Sequence, residues 1–243
     1  MEISASNTIG EIVAQDYRTA LLFEKLGIDF CCKGNRTIEE VCALKHLDKA
    51  TLLQNLKDLA TQSETGSIDY KSWPIDLLAD YIEKKHHRYV LESSVVLQQY
   101  LDKICSVHGH HHPELHEVNR LFMASIIELK SHMVKEETVL FPYVRKMVRK
   151  LNESNDWSLP LFRSVENPIA MMKNEHEVEG ERFQQIRALT DDYTPPQDAC
   201  NTYRVTFSLL KEFEEDLHLH IHLENNILFP RAIEMEQFIV SNL

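Results

Sequence analysis

A pattern of histidine and glutamate occurs twice in this chain at a spacing that suits metal binding on a helix. The shared motif is His-x3-Glu-x3-Leu-Phe-Pro, and its copies occupy residues 132–142 and 220–230. Residues four apart on an α-helix lie on one face, about 6 Å apart along the axis, so each pair can hold one metal ion or two neighbouring ions. The paired side chains are His132 with Glu136 and His220 with Glu224.

Each copy is preceded by a further histidine at nearly the same distance. His87 lies 45 residues before His132, and His176 lies 44 residues before His220. An internal repeat is stronger evidence for a shared structure than a single motif, because the same arrangement would have to arise twice by chance. We therefore predict six metal ligands from four helices: His87, His132, Glu136, His176, His220 and Glu224.

Two other histidines remain candidates for additional ligands. His86 is adjacent to His87, which we prefer because it keeps the spacing of the repeat. His108 begins a turn with three more histidines and is expected to be exposed, although it could reach an open end of the bundle.

The ligand types limit the metal. Imidazole and carboxylate without thiolate suit iron, manganese or zinc better than copper(I) or calcium. With two carboxylates for two ions, we expect Glu136 and Glu224 to bridge while each ion receives two histidines. Such a set leaves coordination positions open, as a reactive site requires, and an oxo or hydroxo bridge would suit two ferric ions.

These ligands require long helices, and the sequence predicts an all-α protein. Residues 1–60 predict a small helical unit, in which Gly27 ends the second helix, Thr37 and Glu40 form a capping box and Asp48 caps the fourth helix. Residues 61–74 lack apolar periodicity and predict a linker. Residues 75–243 predict an up-down-up-down four-helix bundle, kinked near Pro142, with helices at about 75–106, 114–148, 166–189 and 199–237.

The composition excludes several classes of protein. The formal net charge of −12 argues against nucleic acid or an anionic membrane surface as a partner. No run of about 18 apolar residues predicts a membrane span, and the first residues lack the pattern of a signal peptide. The 5 cysteines are irregularly spaced, unlike a secreted disulfide framework. We therefore expect a cytoplasmic protein.

The adjacent Cys31 and Cys32 have two interpretations. One is packing, with one thiol acting as a small hydrophobe. The other is a redox or nitrosyl-exchanging role in an exposed loop, which the poor geometry of adjacent residues for a structural disulfide favours. Cys42 and Cys105 lie in apolar helical stretches and are predicted to be core residues, whereas Cys200 has no predicted role.

Two separate parts of the chain carry a resemblance to one family. The first is Gly27-Ile-Asp-Phe-Cys-Cys32, with Gly34-Asn35 and Cys42; the second is the bundle, with His86-His87-Arg88-Tyr89, Glu175-His176, residues 199–204 and both His-x3-Glu motifs. Together they resemble the repair-of-iron-centres proteins, hemerythrin-like di-iron proteins of the ScdA/YtfE type. The chain departs from the family in having Lys33 where a glycine is usual and a longer connection at 151–165.

The resemblance implies two non-haem iron ions per chain in a protein that repairs iron-sulfur clusters damaged by nitrosative or oxidative stress. Damaged iron-sulfur proteins would be its clients. Two mechanisms stay open: reduction of nitric oxide to nitrous oxide at the di-iron centre, which would make the chain an enzyme, and donation of iron to the damaged cluster. A homodimer also stays open.

Two alternatives remain. A hemerythrin-type carrier or sensor would bind oxygen or nitric oxide without turnover, and a fifth histidine ligand would favour it. A ferritin-like site would use the Glu-x2-His pairs at Glu83 and His86 and at Glu215 and His218.

Overall fold

The computed structural model describes residues 3–61, 68–152 and 160–242, and within them the protein is all-α, as predicted. An isolated β-bridge between Thr8 and Thr37 is the exception to helix, turn and loop in these ranges. Four short helices come first: α1 (Ile9–Gln15), α2 (Arg18–Lys25), α3 (Ile38–Lys45) and α4 (Lys49–Thr61). Seven more follow: α5 (Ile75–Tyr81), α6 (Arg88–His108), α7 (Glu114–Lys135), α8 (Phe141–Asn152), α9 (Glu166–Leu189), α10 (Asn201–Leu223) and α11 (Phe229–Ser241).

Three caps that the sequence predicts for the short helices are present in the structure. Thr37 and Glu40 form a reciprocal capping box at the start of α3. Gly27 follows α2 with a φ of 64°, the left-handed conformation that glycine adopts readily after a helix. The backbone N–H of Thr51 donates to Oδ1 of Asp48 at 2.7 Å, which caps α4.

The remaining helices form the predicted four-helix bundle. Short π-helical turns join α5 to α6, α7 to α8 and α10 to α11, so that these pairs make three long helices and α9 makes the fourth. The connected helix α6 contacts both α7 and α10, and α7 contacts α9, as in an up-down-up-down arrangement. The polar connection predicted between α8 and α9 includes residues 153–159, which lie outside the described residues.

The π-helical turns occur where the candidate ligands lie. They span Ile82–His87, Glu136–Leu140 and Glu224–Leu228. Single π-turns inside α-helices are frequent at functional sites, because the extra residue redirects the side chains around it. The π-turn at Glu136–Leu140 also explains the kink predicted near Pro142. Proline has no backbone N–H to donate within a helix, and the wider π-turn lies just before it. The helix then continues beyond Pro142 as α8.

Among the described residues, the buried apolar side chains form two clusters. One combines residues of the N-terminal helices, such as Phe23 and Ile38, with bundle residues such as Phe122 and Phe213. The other lies at the opposite part of the bundle and includes the Leu-Phe pairs of both repeated motifs. The N-terminal unit and the bundle therefore bury a common apolar surface.

Part of the predicted linker lies among the described residues. Residues 62–67 lie outside the described residues, while Tyr70–Ser72 form a 3-10 turn. Tyr70 is buried and its ring lies 5.5 Å from that of Tyr81 on α5. Among the helices that the structure describes, none is long and apolar enough to cross a membrane.

Candidate metal centre

The six predicted ligands meet inside the bundle, and all six side chains are buried. Their ligand atoms form two groups, each with its atoms within 4.8 Å of one another. Both groups contain Glu136 and Glu224. The first group adds His87 and His220, and the second adds His132 and His176.

Each glutamate touches the two histidines of its own repeat. Oε2 of Glu136 lies 3.4 Å from Nε2 of His87 and 3.3 Å from Nε2 of His132. Glu224 repeats this arrangement, 3.2 Å from Nε2 of His176 and 3.1 Å from Nε2 of His220. The two histidines that touch one glutamate belong to different groups, so each carboxylate connects both groups. This is the arrangement expected of a carboxylate that bridges two ions.

Several of these atoms are close together without forming hydrogen bonds. In the described part of the chain, Nε2 of His87, both carboxylate oxygens of Glu136 and Oε2 of Glu224 are buried without a hydrogen-bond partner. A buried carboxylate that lacks partners costs several kcal/mol. The unpartnered atoms face a shared centre, and bound cations would satisfy all of them. The donor set therefore fits iron, manganese or zinc.

The charges of the glutamates depend on the surrounding imidazoles. Burial alone would raise the pKa of Glu224, but His220 and His176 hold it well below its usual range. For Glu136, burial and the charge of Glu224 act upward, while His132 and His87 lower the pKa overall. Both carboxylates are therefore ionised and available to a cation.

Three of the four histidines are oriented by a second contact on the opposite ring nitrogen. Nδ1 of His87 lies 2.8 Å from Oε1 of Glu137, and Nδ1 of His132 lies 2.8 Å from Oε2 of Glu175. Nδ1 of His176 lies 3.0 Å from Oδ1 of Asn225. An oxygen that accepts from Nδ1–H leaves Nε2 unprotonated and able to bind metal.

Sequence reasoning missed these three orienting residues, although a simple signal marks them. Each is the chain neighbour of a ligand: Glu137 follows Glu136, Glu175 precedes His176 and Asn225 follows Glu224. Neighbours on a helix point about 100° apart, so a residue beside one ligand can reach a histidine on another helix.

The phenylalanines of the repeated motifs also pack in equivalent ways. Phe141 stacks on His87 with ring centroids 5.6 Å apart, and Phe229 stacks on His176 at 5.9 Å. In each repeat, the apolar tail of the second helix covers the histidine of the first. These rings shield one side of the centre from water.

The two additional candidates lie outside both groups. His86 is buried beside the centre, with Nδ1 3.1 Å from Asp216 and its ring stacked on His220 at 5.6 Å. His108 lies at the end of α6, with Nε2 3.2 Å from Sγ of Cys200.

The ferritin-like pairs also lie apart from the two groups. Glu83 forms an ion pair with Arg145 at 2.7 Å. His218 lies 3.8 Å from Glu214 on its own helix. Neither pair places its side chains among the buried ligand atoms of the two groups.

The cysteine loop docks against the third long helix. Cys31 is buried and Cys32 is half-buried, with Sγ of Cys32 3.3 Å from the backbone oxygen of His176. Nδ2 of Asn225 donates to the backbone oxygen of Cys31 at 3.1 Å. The contact with Cys32 and burial raise the pKa of the Cys31 thiol.

The other cysteines follow the predictions where predictions were made. Cys42 and Cys105 are buried, as expected of core residues. Cys200, which had no predicted role, is exposed and immediately precedes α10.

A cavity of about 200 Å³ reaches the centre between α7 and α9. His132 and His176 line its inner end, and Glu128, Glu175 and Arg182 contribute polar groups. It provides space for a small molecule next to two candidate ligands.

Comparison with known proteins assigns families to both parts of the chain. Residues 5–60 match ScdA_N, a domain of unknown function (DUF542), and residues 78–232 match the hemerythrin HHE cation binding domain. A hemerythrin-like domain implies iron binding, and the two His/Glu groups could hold metal ions.

Named relatives match across nearly the whole chain. The iron-sulfur cluster repair protein YtfE of Musicola paradisiaca is 31% identical over 94% of this chain and 97% of its own length. The iron-sulfur cluster repair protein ScdA of Staphylococcus haemolyticus is 32% identical over 94% of this chain and 99% of its own. The YtfE protein of Yersinia pestis strain Pestoides F is 31% identical over 95% of this chain and 98% of its own. The chain, which carries both domains, therefore belongs to the family of iron-sulfur cluster repair proteins of the ScdA/YtfE type.

Proposed function

We propose that this chain repairs damaged iron-sulfur clusters in the cytoplasm, using two iron ions held by His87, His132, Glu136, His176, His220 and Glu224. One observation carries the proposal: two overlapping ligand groups share both glutamates inside a hemerythrin-like bundle. The names of the relatives support repair as the activity. We propose a division into a small domain at 1–60, a linker at 61–74 and a di-iron bundle at 75–243.

The proposed ligands would partly neutralise the charge of two bound metal ions. Two carboxylates offset half of the positive charge of two divalent ions, and four neutral imidazoles complete the set without adding charge. Glu137, Glu175 and Asn225 keep the imidazoles in the tautomer that binds metal. Bound iron would supply one-electron redox chemistry and exchangeable metal.

The cavity between α7 and α9 supports a small molecule as the ligand of the centre. Its volume of about 200 Å³ admits a diatomic molecule to the side where His132 and His176 lie. We propose nitric oxide as this molecule and damaged iron-sulfur proteins as the clients. Cys31 and Cys32 lie beside His176 and are the redox candidates of the small domain.

The carrier alternative has less support. A fifth histidine ligand would support a carrier, and His86 is the nearest candidate. However, Nδ1 of His86 lies 3.1 Å from Asp216, and His86 belongs to neither ligand group. The relatives are named as repair proteins, which favours repair over oxygen carriage.

A reactivation assay tests the proposal. A dehydratase whose iron-sulfur cluster has been damaged by nitric oxide is incubated with the purified iron-loaded chain, and its recovered activity is measured. We expect recovery with the native chain and its loss with Glu224→Gln, which keeps the side-chain shape and removes the charge. His110→Gln is the matched control, because His110 is exposed on the loop after α6. Equal recovery with native protein and Glu224→Gln would overturn the proposal.

A second experiment separates the two repair mechanisms. The reduced chain is loaded with isotopically labelled iron and given excess nitric oxide or a damaged client. Nitrous oxide formation without label in the client indicates reduction of nitric oxide. Label in the restored cluster without nitrous oxide indicates iron donation.

A further inference from the structure

Side chains of the types that bind metal ions also meet outside the two His/Glu groups. The loop between α2 and α3 brings Asp29, Cys31 and Cys32 together, with one ligand atom from each within 4.8 Å of the others. The two sulfur atoms are 3.6 Å apart and not bonded, and Sγ of Cys31 lies 3.4 Å from Oδ1 of Asp29. These distances allow one ion to contact all three side chains after small rotations.

The loop backbone is fixed from two directions. Oδ1 of Asp29 accepts the backbone N–H of Cys31 at 3.2 Å and that of Cys32 at 2.9 Å. From the bundle, Asn225 donates to the backbone oxygen of Cys31, and Asn226 donates to that of Phe30. Little rearrangement would accompany metal binding, because the ligand positions are already set.

We propose that Asp29, Cys31 and Cys32 form a second metal site, which binds one borderline divalent cation such as Fe²⁺ or Zn²⁺. Two thiolates select a metal with affinity for sulfur, and the carboxylate favours a divalent ion over copper(I). Three protein ligands leave at least one position for solvent or a fourth donor, as in sites that exchange metal or bind substrate.

The site can be reached from solvent on both sides of the loop. A cavity of about 260 Å³ is lined by Asp29, Cys31 and Lys45, and a second of about 380 Å³ is lined by Cys31, Cys32 and Lys173. The contact with Cys32, burial and the nearby Asp29 raise the pKa of the Cys31 thiol, so this thiol is protonated until a cation displaces its proton.

The second site adjoins the His/Glu centre and shares no ligand side chain with it. Sγ of Cys32 lies 3.3 Å from the backbone oxygen of His176, whose imidazole belongs to the centre. Because the ligand sets are separate, variants of the loop leave the ligands of the centre in place. The inference therefore does not rest on the repair activity.

Cobalt(II) is a suitable probe, since its thiolate complexes have charge-transfer bands that imidazole and carboxylate complexes lack. The reduced full-length chain, with its His/Glu centre already loaded with iron, is titrated with cobalt(II) without oxygen. The samples are native protein, Cys31→Ser/Cys32→Ser, Asp29→Asn and Cys200→Ser. Asp29→Asn is informative because the amide oxygen still accepts the backbone N–H groups while the charge is lost.

We expect one thiolate-bound cobalt per native chain, no such band in Cys31→Ser/Cys32→Ser and an unchanged band in Cys200→Ser. Asp29→Asn should weaken cobalt binding by about ten-fold or more, the loss typical of disturbing one partner of a metal site. The iron content and circular dichroism of each variant verify folding, and Cys32→Ser alone replaces the double variant if that variant misfolds. Absence of the band in native protein, its survival without Cys31 and Cys32, or unchanged affinity in Asp29→Asn would overturn the proposal.

Discussion

The Nε2 atoms of His132 and His176 lie 3.0 Å apart where the second and third long helices meet. The Nδ1 atoms of both rings contact oxygen acceptors, which places their hydrogens on Nδ1. When both imidazoles are neutral, the Nε2 lone pairs face each other and repel unless a proton or a metal ion lies nearby. This pair gives the clearest local reason for a cation in the centre.

The first prediction concerns the pH dependence of metal-depleted protein. Burial would lower the pKa of His132, but Glu136, Glu175 and Glu224 raise it to about 10, from a usual value of 6.5. Because folded His132 binds its proton more tightly than unfolded His132 does, the proton stabilises the folded state. This stabilisation is complete below pH 6.5 and is lost as the pH rises towards 10. We therefore expect the melting temperature of metal-depleted protein to fall between neutral pH and about 10.

The control for this prediction is the metal-loaded protein, where a bound ion replaces the proton on His132. Differential scanning calorimetry should give a weaker pH dependence for the loaded form. Metal-depleted His132→Gln should also lack the fall. Equal slopes in loaded and depleted native protein would contradict the prediction.

The second prediction concerns Asn225, which contacts Nδ1 of His176 and the backbone of Cys31. Asn225→Ala removes the acceptor that fixes the tautomer of His176 and should lower metal affinity about 10–100-fold. Metal retention during competition with a chelator measures this loss. Asn226→Ala is the matched control. Asn226 lies in the same π-turn and contacts the cysteine loop, but the histidine that its side chain contacts is His222, which belongs to neither ligand group. Similar losses in both variants would show that loop docking, rather than orientation of His176, controls affinity.

The third prediction concerns the docking of α1 on the bundle. A Cβ atom at Gly10 would lie 2.8 Å from Cγ of Asn226, whose amide is held by Phe30. Ala favours helix by about 1 kcal/mol over Gly, but overpacking costs about 1–3 kcal/mol and the hydrogen bond would also be strained. Gly10→Ala should therefore lower the free energy of unfolding by about 1–2 kcal/mol.

Chemical denaturation measures this change at fixed metal loading. Gln15→Ala, on an exposed position of the same helix, serves as the control and should change stability little. A Gly10→Ala variant as stable as native protein would mean that Asn226 moves without cost.

The repeat made the meeting of the six candidate ligands predictable, because spacing within one helix determines which residues share a face. His132 and Glu136 illustrate this: four residues place both on the same side, and the second copy repeats it. Helix ends were predicted less well; the first long helix continues to His108 instead of ending near 106, and the last to Ser241 instead of near 237. Fraying ends lack a strong local signal.

Long-range contacts could not be predicted. The contact of Cys32 with His176 joins residues 144 positions apart and depends on how the N-terminal helices pack on the bundle. The π-turns were not predicted either. A π-turn contains one extra residue, and the turns that begin at Glu136 and Glu224 have no distinct amino-acid composition that would reveal it. Pro142 and Pro230, which follow the turns at Glu136–Leu140 and Glu224–Leu228, were the available signal for these two turns.

The fourth prediction concerns cysteine reactivity. Backbone N–H groups of α10 near Tyr203, together with His108, lower the pKa of the exposed Cys200 thiol, whereas burial raises the pKa of Cys42 and Cys105. Because the thiolate is the reactive form, Cys200 should be alkylated well before the other two at neutral pH. Timed iodoacetamide labelling with peptide mass spectrometry measures the order. His108→Ala should slow the labelling of Cys200, and faster labelling of Cys42 or Cys105 would contradict the assignment.

The most direct test of the central claim is metal analysis with absorption spectroscopy on protein purified without oxygen and then oxidised. If the six buried ligands hold two ions, native protein should contain about two irons per chain and develop an oxo-bridge charge-transfer band. His132→Gln and Glu224→Gln should lose both iron and band, while the exposed His110→Gln keeps both. One metal per chain, zinc in place of iron, or full iron content in the ligand variants would contradict the account.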